Sequence, residues 1–281
     1  MPYNRKAQSS MDNSYQSAIN NNDGGNFGPS VIKFPQGVKA FKFDPAKANT
    51  EQYINILPWA IETEKHPRVA KGEAKIGDND FMLDVFTHYI DGVLKGSAIC
   101  MAQTYGQECP FEKETEGQNM PAAKRRTLFW VQACDRNGKP TGDGAPMILN
   151  TSHYAFTKLL LEEADIQGRD RGFNGSIPFA NPDKGFVVGF RYSMDSSGNG
   201  QKYAQAKRID FYERTTPIPE KLLDSIQALD ALIEIPTRKS IHDALYGKGS
   251  SAGASEAEAA EATEAADTQT ASNEVRPDET F

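Results

Sequence analysis

His88, Cys100, Cys109 and Glu112 are the residues whose types and spacing best suit joint chemistry. Their order is His-x11-Cys-x8-Cys-x2-Glu. An imidazole, two thiolates and a carboxylate are all zinc donors, and two close cysteines are the usual form of a knuckle. In Cys109-Pro110-Phe111-Glu112 a carboxylate stands where the second cysteine would be. The set predicts one structural zinc ion; the other reading is two buried thiols and a strand histidine. Cys134 ends the apolar run Trp130-Val131-Gln132-Ala133 and reads as core packing. His66, His153 and His242 read as surface or cap residues. The chain has no G-x-x-x-x-G-K-[ST], no G-x-G-x-x-G after a strand and no H-E-x-x-H, and its carboxylates are not paired with a histidine. No catalytic residues are assigned.

A second pattern interleaves cations with flat rings. Lys124-Arg125-Arg126 runs into Phe129-Trp130, Lys42 lies between Phe41 and Phe43, and Tyr192, Lys202, Tyr203, Lys207 and Arg208 flank one polar turn. Single-stranded nucleic acid exposes phosphates and unstacked bases together. A groove for it needs cations for the backbone and rings for the bases, at about 1–3 kcal/mol per stacked base. Alternation along a strand sends Phe129 and Trp130 to opposite faces, so one of the two is expected in the core.

The elements that must hold these residues are mostly strands. Val38 to Phe43, Tyr53 to Leu57, Phe81 to Ile90, Arg126 to Cys134, Pro146 to Leu149, Phe186 to Met194 and Lys202 to Tyr212 carry strand patterns. Asp135-Arg136-Asn137-Gly138 and residues 195–200 read as hairpin turns. Helices are expected from Ser152 to about Ala164, after Thr216-Pro217 with Leu222, Ile226, Leu229 and Ile233 as its stripe, and after Thr237 to near Gly247. The expected fold is mainly β: a small barrel with helical insertions.

Charge divides the chain. Its 281 residues carry a formal −7, but residues 248–281 hold eight acids and two bases, which leaves the rest at −1. That tail has no aromatic until Phe281 and cannot bury enough apolar surface to order itself. It reads as a disordered acidic interaction tail, with Asp278, Glu279 and Phe281 as the partner-binding end. Residues 1–30 are rich in Asn and Gly with a basic knot at Arg5-Lys6, and read as a flexible arm that touches a neighbour or a phosphate. No apolar run is long enough for a membrane span, and no secretory h-region is present. Three cysteines without such a signal point to a reducing compartment.

From about Phe41 to Ala164 the chain resembles the bacteriophage single-stranded DNA-binding proteins of the T-even helix-destabilising type. The resemblance rests on Phe41-Lys42-Phe43, Ile54-Asn55-Ile56-Leu57-Pro58, His88, Ile99-Cys100, Cys109-Pro110, and Lys124-Arg125-Arg126 with Phe129-Trp130-Val131, in that order. It implies a five-stranded OB-type barrel over residues 31–247, with a zinc-bearing Cys/His subdomain at 80–123. His88, Cys100 and Cys109 match three zinc ligands; the family's fourth, a cysteine, is replaced by Phe111-Glu112. It further implies cooperative, sequence-tolerant binding of single-stranded DNA in phage replication, recombination and repair, in the cytoplasm of the infected host. Arg5 and Lys6 would serve self-association along DNA. The acidic tail with its terminal Phe is similar to those of other replication single-strand binders, and implies polymerase, primase or helicase-loader partners. The alternatives are a virion structural or scaffold protein with an acidic assembly tail, and an enzyme that uses the metal site.

Overall fold

The computed structural model describes residues 31–89, 97–116, 121–196 and 202–246. The arm (with Arg5 and Lys6), the tail (with Asp278, Glu279 and Phe281) and most of the 195–200 turn lie outside the described residues. In chain order the elements are β1 (Lys39–Ala40), β2 (Gln52–Leu57), β3 (Trp59–Ala60), α1 (Pro67–Ala70), β4 (Asn79–Asp80), β5 (Leu83–His88), β6 (Ala98–Ile99), α2 (Met101–Tyr105) and α3 (Pro110–Glu114). They continue with β7 (Lys124–Ala133), β8 (Met147–Ser152), a π-helical turn (His153–Thr157), α4 (Lys158–Asp170), β9 (Phe186–Ser196), β10 (Lys202–Glu213), α5 (Glu220–Asp224) and α6 (Arg238–Tyr246).

One eight-stranded sheet organises the chain, in the order β1-β8-β7-β2-β9-β10, with β5 added on β7 and β6 on β5. β7 is its spine. The first half of β7 pairs with β5, Lys124 opposite Thr87 and Leu128 opposite Leu83; its second half pairs with β2, Trp130 opposite Leu57. β8 lines its other edge from Arg126 to Val131. The fold is therefore strand-rich with a few short helices. The sheet does not close among the described residues. β10 pairs with β9 alone, and α4 covers its outer edge: Gln167 Nε2 donates to Ile209 O at 3.1 Å and Arg171 Nη2 to Phe211 O at 2.8 Å. Two side chains thus satisfy carbonyls that an unpaired edge would expose.

β7 is buried on both faces, which is why it reads as an unbroken apolar run. Phe129 and Val131 enter one core with Ile54, Leu149, Phe156, Phe190 and Phe211. Leu128 and Trp130 enter a second with Trp59, Val85, Cys100, Phe111, Leu229 and Ile241. The second core exists because the chain after Ile218 folds back over that face: Trp130 Nε1 donates to Gln227 O at 2.8 Å.

Several expected elements change shape. Val38 to Phe43 forms only the two-residue β1. Residues 153–157 form a π-turn before α4 rather than the first turn of one helix. The Leu222–Ile233 stripe is helical only over Glu220–Asp224. Past that point the backbone pairs with residues 31–33 instead, through Lys33 N to Leu232 O (2.8 Å) and Glu234 N to Val31 O (3.1 Å). The Asp135–Gly138 turn is present, and Gly138 adopts a φ of +88° where a Cβ would meet Arg214 Cγ. Thr237 caps α6 as expected, accepting from Ser240 N at 3.1 Å. Among the described residues no helix is long and apolar enough to cross a membrane.

Candidate functional site

Four short elements bring the donor set together. His88 ends β5, and its pairing opposite Ala98 brings the β6 end alongside. Cys100 follows β6, fixed by its amide on Phe86 O at 2.8 Å, and caps α2 by accepting from Gln103 N. Cys109 occupies the cap position of α3, Pro110 starts that helix with its φ already fixed, and Glu112 lies in the first turn. Phe111, between the two donors, is buried and stacks on the His88 ring, with centroids 4.1 Å apart and planes 14° apart.

One donor atom from each of His88, Cys100, Cys109 and Glu112 lies within 4.8 Å of all the others. Cys109 Sγ is 3.5 Å from His88 Nε2, Cys100 Sγ is 3.4 Å from Glu112 Oε1, and His88 Nε2 is 3.6 Å from the same oxygen. Zinc bonds of about 2.0–2.3 Å at the tetrahedral angle separate donors by about 3.3–3.8 Å. The spacing of the donors and their chemistry both fit such an ion. His88, Cys100 and Cys109 are buried, whereas the Glu112 side chain is 49% exposed, so the carboxylate forms the solvent side of the cluster. The hydrogen bond from Cys100, reinforced by His88, holds Cys109 far below the usual thiol range, and the same bond together with burial pushes Cys100 up. Metal binding would displace the Cys100 proton. His88 Nδ1 is buried with no partner among the described residues.

The cation-and-ring pattern is rearranged. Phe129, Trp130 and Tyr192 are all buried, at 0%, 1% and 2% exposure, so none can stack on a base. This corrects the expectation that one of the first two lines a groove: the second core occupies the face that would have been open. Tyr192 donates its hydroxyl to Asp44 O at 2.7 Å and packs on Phe43. Arg126 is half-buried and donates to Asn150 Oδ1 at 2.7 Å; burial lowers its pKa. Arg125 is bound to Asp84 through Nε at 2.7 Å and also through Nη2. Lys207 pairs with Asp195 at 2.9 Å and Arg208 with Asp210 at 2.6 Å. Lys124, Lys202, Tyr203 and Lys42 are exposed. Lys42 lines a separate recess with Lys47, Glu51, Tyr53 and Cys134.

What the structure assembles is a different strip, which runs from the start of β10 to the metal cluster. Tyr154, in the π-turn, is 69% exposed, and Tyr203 is 42% exposed. Gln205 Nε2 reaches Tyr154 O at 3.4 Å, and Tyr203, two residues earlier in β10, leaves the strand on the same side. The His153 ring meets Tyr154 edge-on at 5.5 Å, and His153 Nδ1 lies 4.0 Å from Asp84 Oδ1, beside Arg125. Burial is the main cause that lowers the His153 pKa; Arg125 and Lys158 lower it further and Asp84 opposes them. Lys124, opposite Thr87, leaves β7 on the other face from Arg125, and Tyr89, 44% exposed, follows His88. Tyr154, Tyr89 and Lys158 were absent from the sequence-derived set. The sequence signal available for Tyr154 was its place just after a strand end.

Comparison with models of known families finds no match for the chain, and none of the curated proteins compared matches it.

Proposed function

We propose that this chain binds single-stranded DNA with little sequence preference, through the strip between β10 and the metal cluster. The observation that carries this reading is the exposure of two tyrosines, Tyr154 and Tyr203, on one side of β10, with Arg125 and Lys158 beside His153 and with Lys202 and Lys124 exposed at the starts of β10 and β7. Rings stack on bases while cations displace counterions from the backbone, so the unpaired strand is favoured over duplex by mass action and affinity falls steeply with salt. On this reading β8, β7, β2, β9 and β10 are the five strands of an OB-type barrel, with α4 standing where the sheet is open.

His88, Cys100, Cys109 and Glu112 would hold one structural zinc ion, whose role is to cross-link β5, α2 and α3 into a lobe beside the strip. Arg5 and Lys6 would serve contacts between neighbours along the strand. Asp278, Glu279 and Phe281 would recruit a polymerase, primase or helicase loader. The setting is phage DNA replication, recombination and repair in the cytoplasm of an infected host.

The test is a gel shift of oligo(dT) against duplex of equal length at two salt concentrations, with the chain and with Tyr154→Ala/Tyr203→Ala. Preference for the single strand, weakened by about 1–3 kcal/mol per ring removed, is the expected result. Equal binding of duplex, or no effect of the double substitution, would refute the proposal.

A further inference from the structure

We infer that metal loading and the docking of α6 are coupled through α3, with Glu114 as the positioning residue between them; this rests on the zinc reading above. α3 has five residues, far below the length at which a helix holds itself in water. It is fixed from two sides. On one, Cys109 and Glu112 face His88 and Cys100. On the other, the Glu114 carboxylate accepts from Arg238 Nε at 2.9 Å and meets His242 Nδ1 at 2.6 Å, both from α6. Tyr246 adds a long contact to Glu114 O at 3.5 Å. Between these ends, fully buried Ile241 of α6 shares a core with Phe111, Met101 and both cysteines.

α6 has nine residues and is itself too short to persist undocked. Ordering α3 is thus a cost common to ligand assembly and to α6 docking. Whichever occurs first lowers that cost for the other, and the coupling is reciprocal by linkage. The sequence gives this geometry a consequence. The chain after α6 is the segment with eight acids and two bases, so metal loading fixes the place from which that charge departs.

The experiment uses the full chain and zinc itself as the probe. Zinc affinity is measured by competition with a chromophoric chelator. Hydrogen exchange at residues 238–246 is measured with zinc and after its removal. Arg238→Ala/His242→Ala removes the α6 side of the clasp without touching a donor, and Glu114→Gln removes its centre. Each is expected to weaken zinc binding about tenfold, the lower end of the usual loss when a supporting contact around a metal ligand is removed. Withdrawal of zinc should speed exchange in α6 by a similar factor while the β7 amides stay protected. Unchanged zinc affinity in both variants, or α6 exchange indifferent to zinc, overturns the coupling alone. An unaltered chain that takes up no zinc overturns the metal reading and the coupling with it.

Discussion

The His88 imidazole lies flat on the Phe111 ring, 4.1 Å between centroids, so the side chain that aims a donor is itself held by the residue between two other donors. Phe111→Ala should cost about 3–5 kcal/mol, because a fully buried ring leaves a cavity in the second core. It should also free the imidazole to turn away from Cys109. Phe111→Leu keeps most of the volume and loses the stack. Urea unfolding should therefore separate the two variants widely, whereas zinc uptake should fall in both. A Leu variant with undiminished zinc affinity would show that the stack does not orient His88.

Glu112 is the exposed donor of the four, so substitution there should alter the metal more than the fold. Glu112→Cys offers a thiolate, a softer ligand that binds zinc more strongly than a carboxylate does. It should slow zinc loss to a chelator, and Glu112→Ala should hasten it. Melting temperatures of the metal-free proteins should stay close to one another. If the Cys variant loses zinc as fast as the Ala variant, the 112 position does not ligate.

Lys124 and Arg125 are neighbours on β7 with unequal prospects at a phosphate. Arg125 is already bound to Asp84, and Lys124 is exposed. Lys124→Ala should lower the salt slope of oligo(dT) binding by about 1, the change expected for one lost phosphate contact. Arg125→Ala should lower it less. Asp84→Asn releases the guanidinium and removes a nearby negative charge, so it should tighten binding at low salt. Binding titrations at several salt concentrations give all three slopes, and equal effects of the two cation substitutions would contradict the assignment.

The donor cluster was legible because its members lie close in sequence, on a strand end and two helix caps whose signals are local. β7 was legible as a strand for the same reason. What covers its two faces was not. The contact between Trp130 and Gln227 spans 97 positions, and nothing near Trp130 announces it. The Leu222–Ile233 stripe misled in the opposite direction. Its period suits a helix, but Asp230 is buried and accepts the amides of Glu62 and Thr63, while Val31 and Lys33 take the neighbouring backbone. Distant partners outweighed local propensity there. Tyr154 escaped for a subtler reason: a π-turn shifts which residues face outward, and helical periodicity carries no mark of the shift.

His66 gives the fold a predicted weakness in acid. Its Nδ1 accepts the amide of Arg68 at 3.2 Å as the cap of α1, so in the folded chain that nitrogen carries no proton. Nε2 faces Asp80 Oδ2 at 3.5 Å, which also takes Arg68 Nη1 at 2.8 Å; Asp230 lies near enough to act on the ring. Burial outweighs both carboxylates and holds the pKa below its usual value of 6.5. A depressed histidine pKa means that the unfolded chain takes up a proton before the folded one does. Stability contributed by neutral His66 is therefore complete above about pH 6.5 and falls as pH drops towards the lower folded pKa, by at most about 1.4 kcal/mol per pH unit for one proton. His153 is shifted in the same direction by burial and adds to the slope. His66→Asn supplies a capping oxygen that does not titrate. It should lower stability at pH 7.5 through lost packing, yet reduce the difference between urea unfolding at pH 7.5 and at pH 5.5. If that difference is the same with and without His66, the imidazole is already charged in the folded chain and the cap is held some other way.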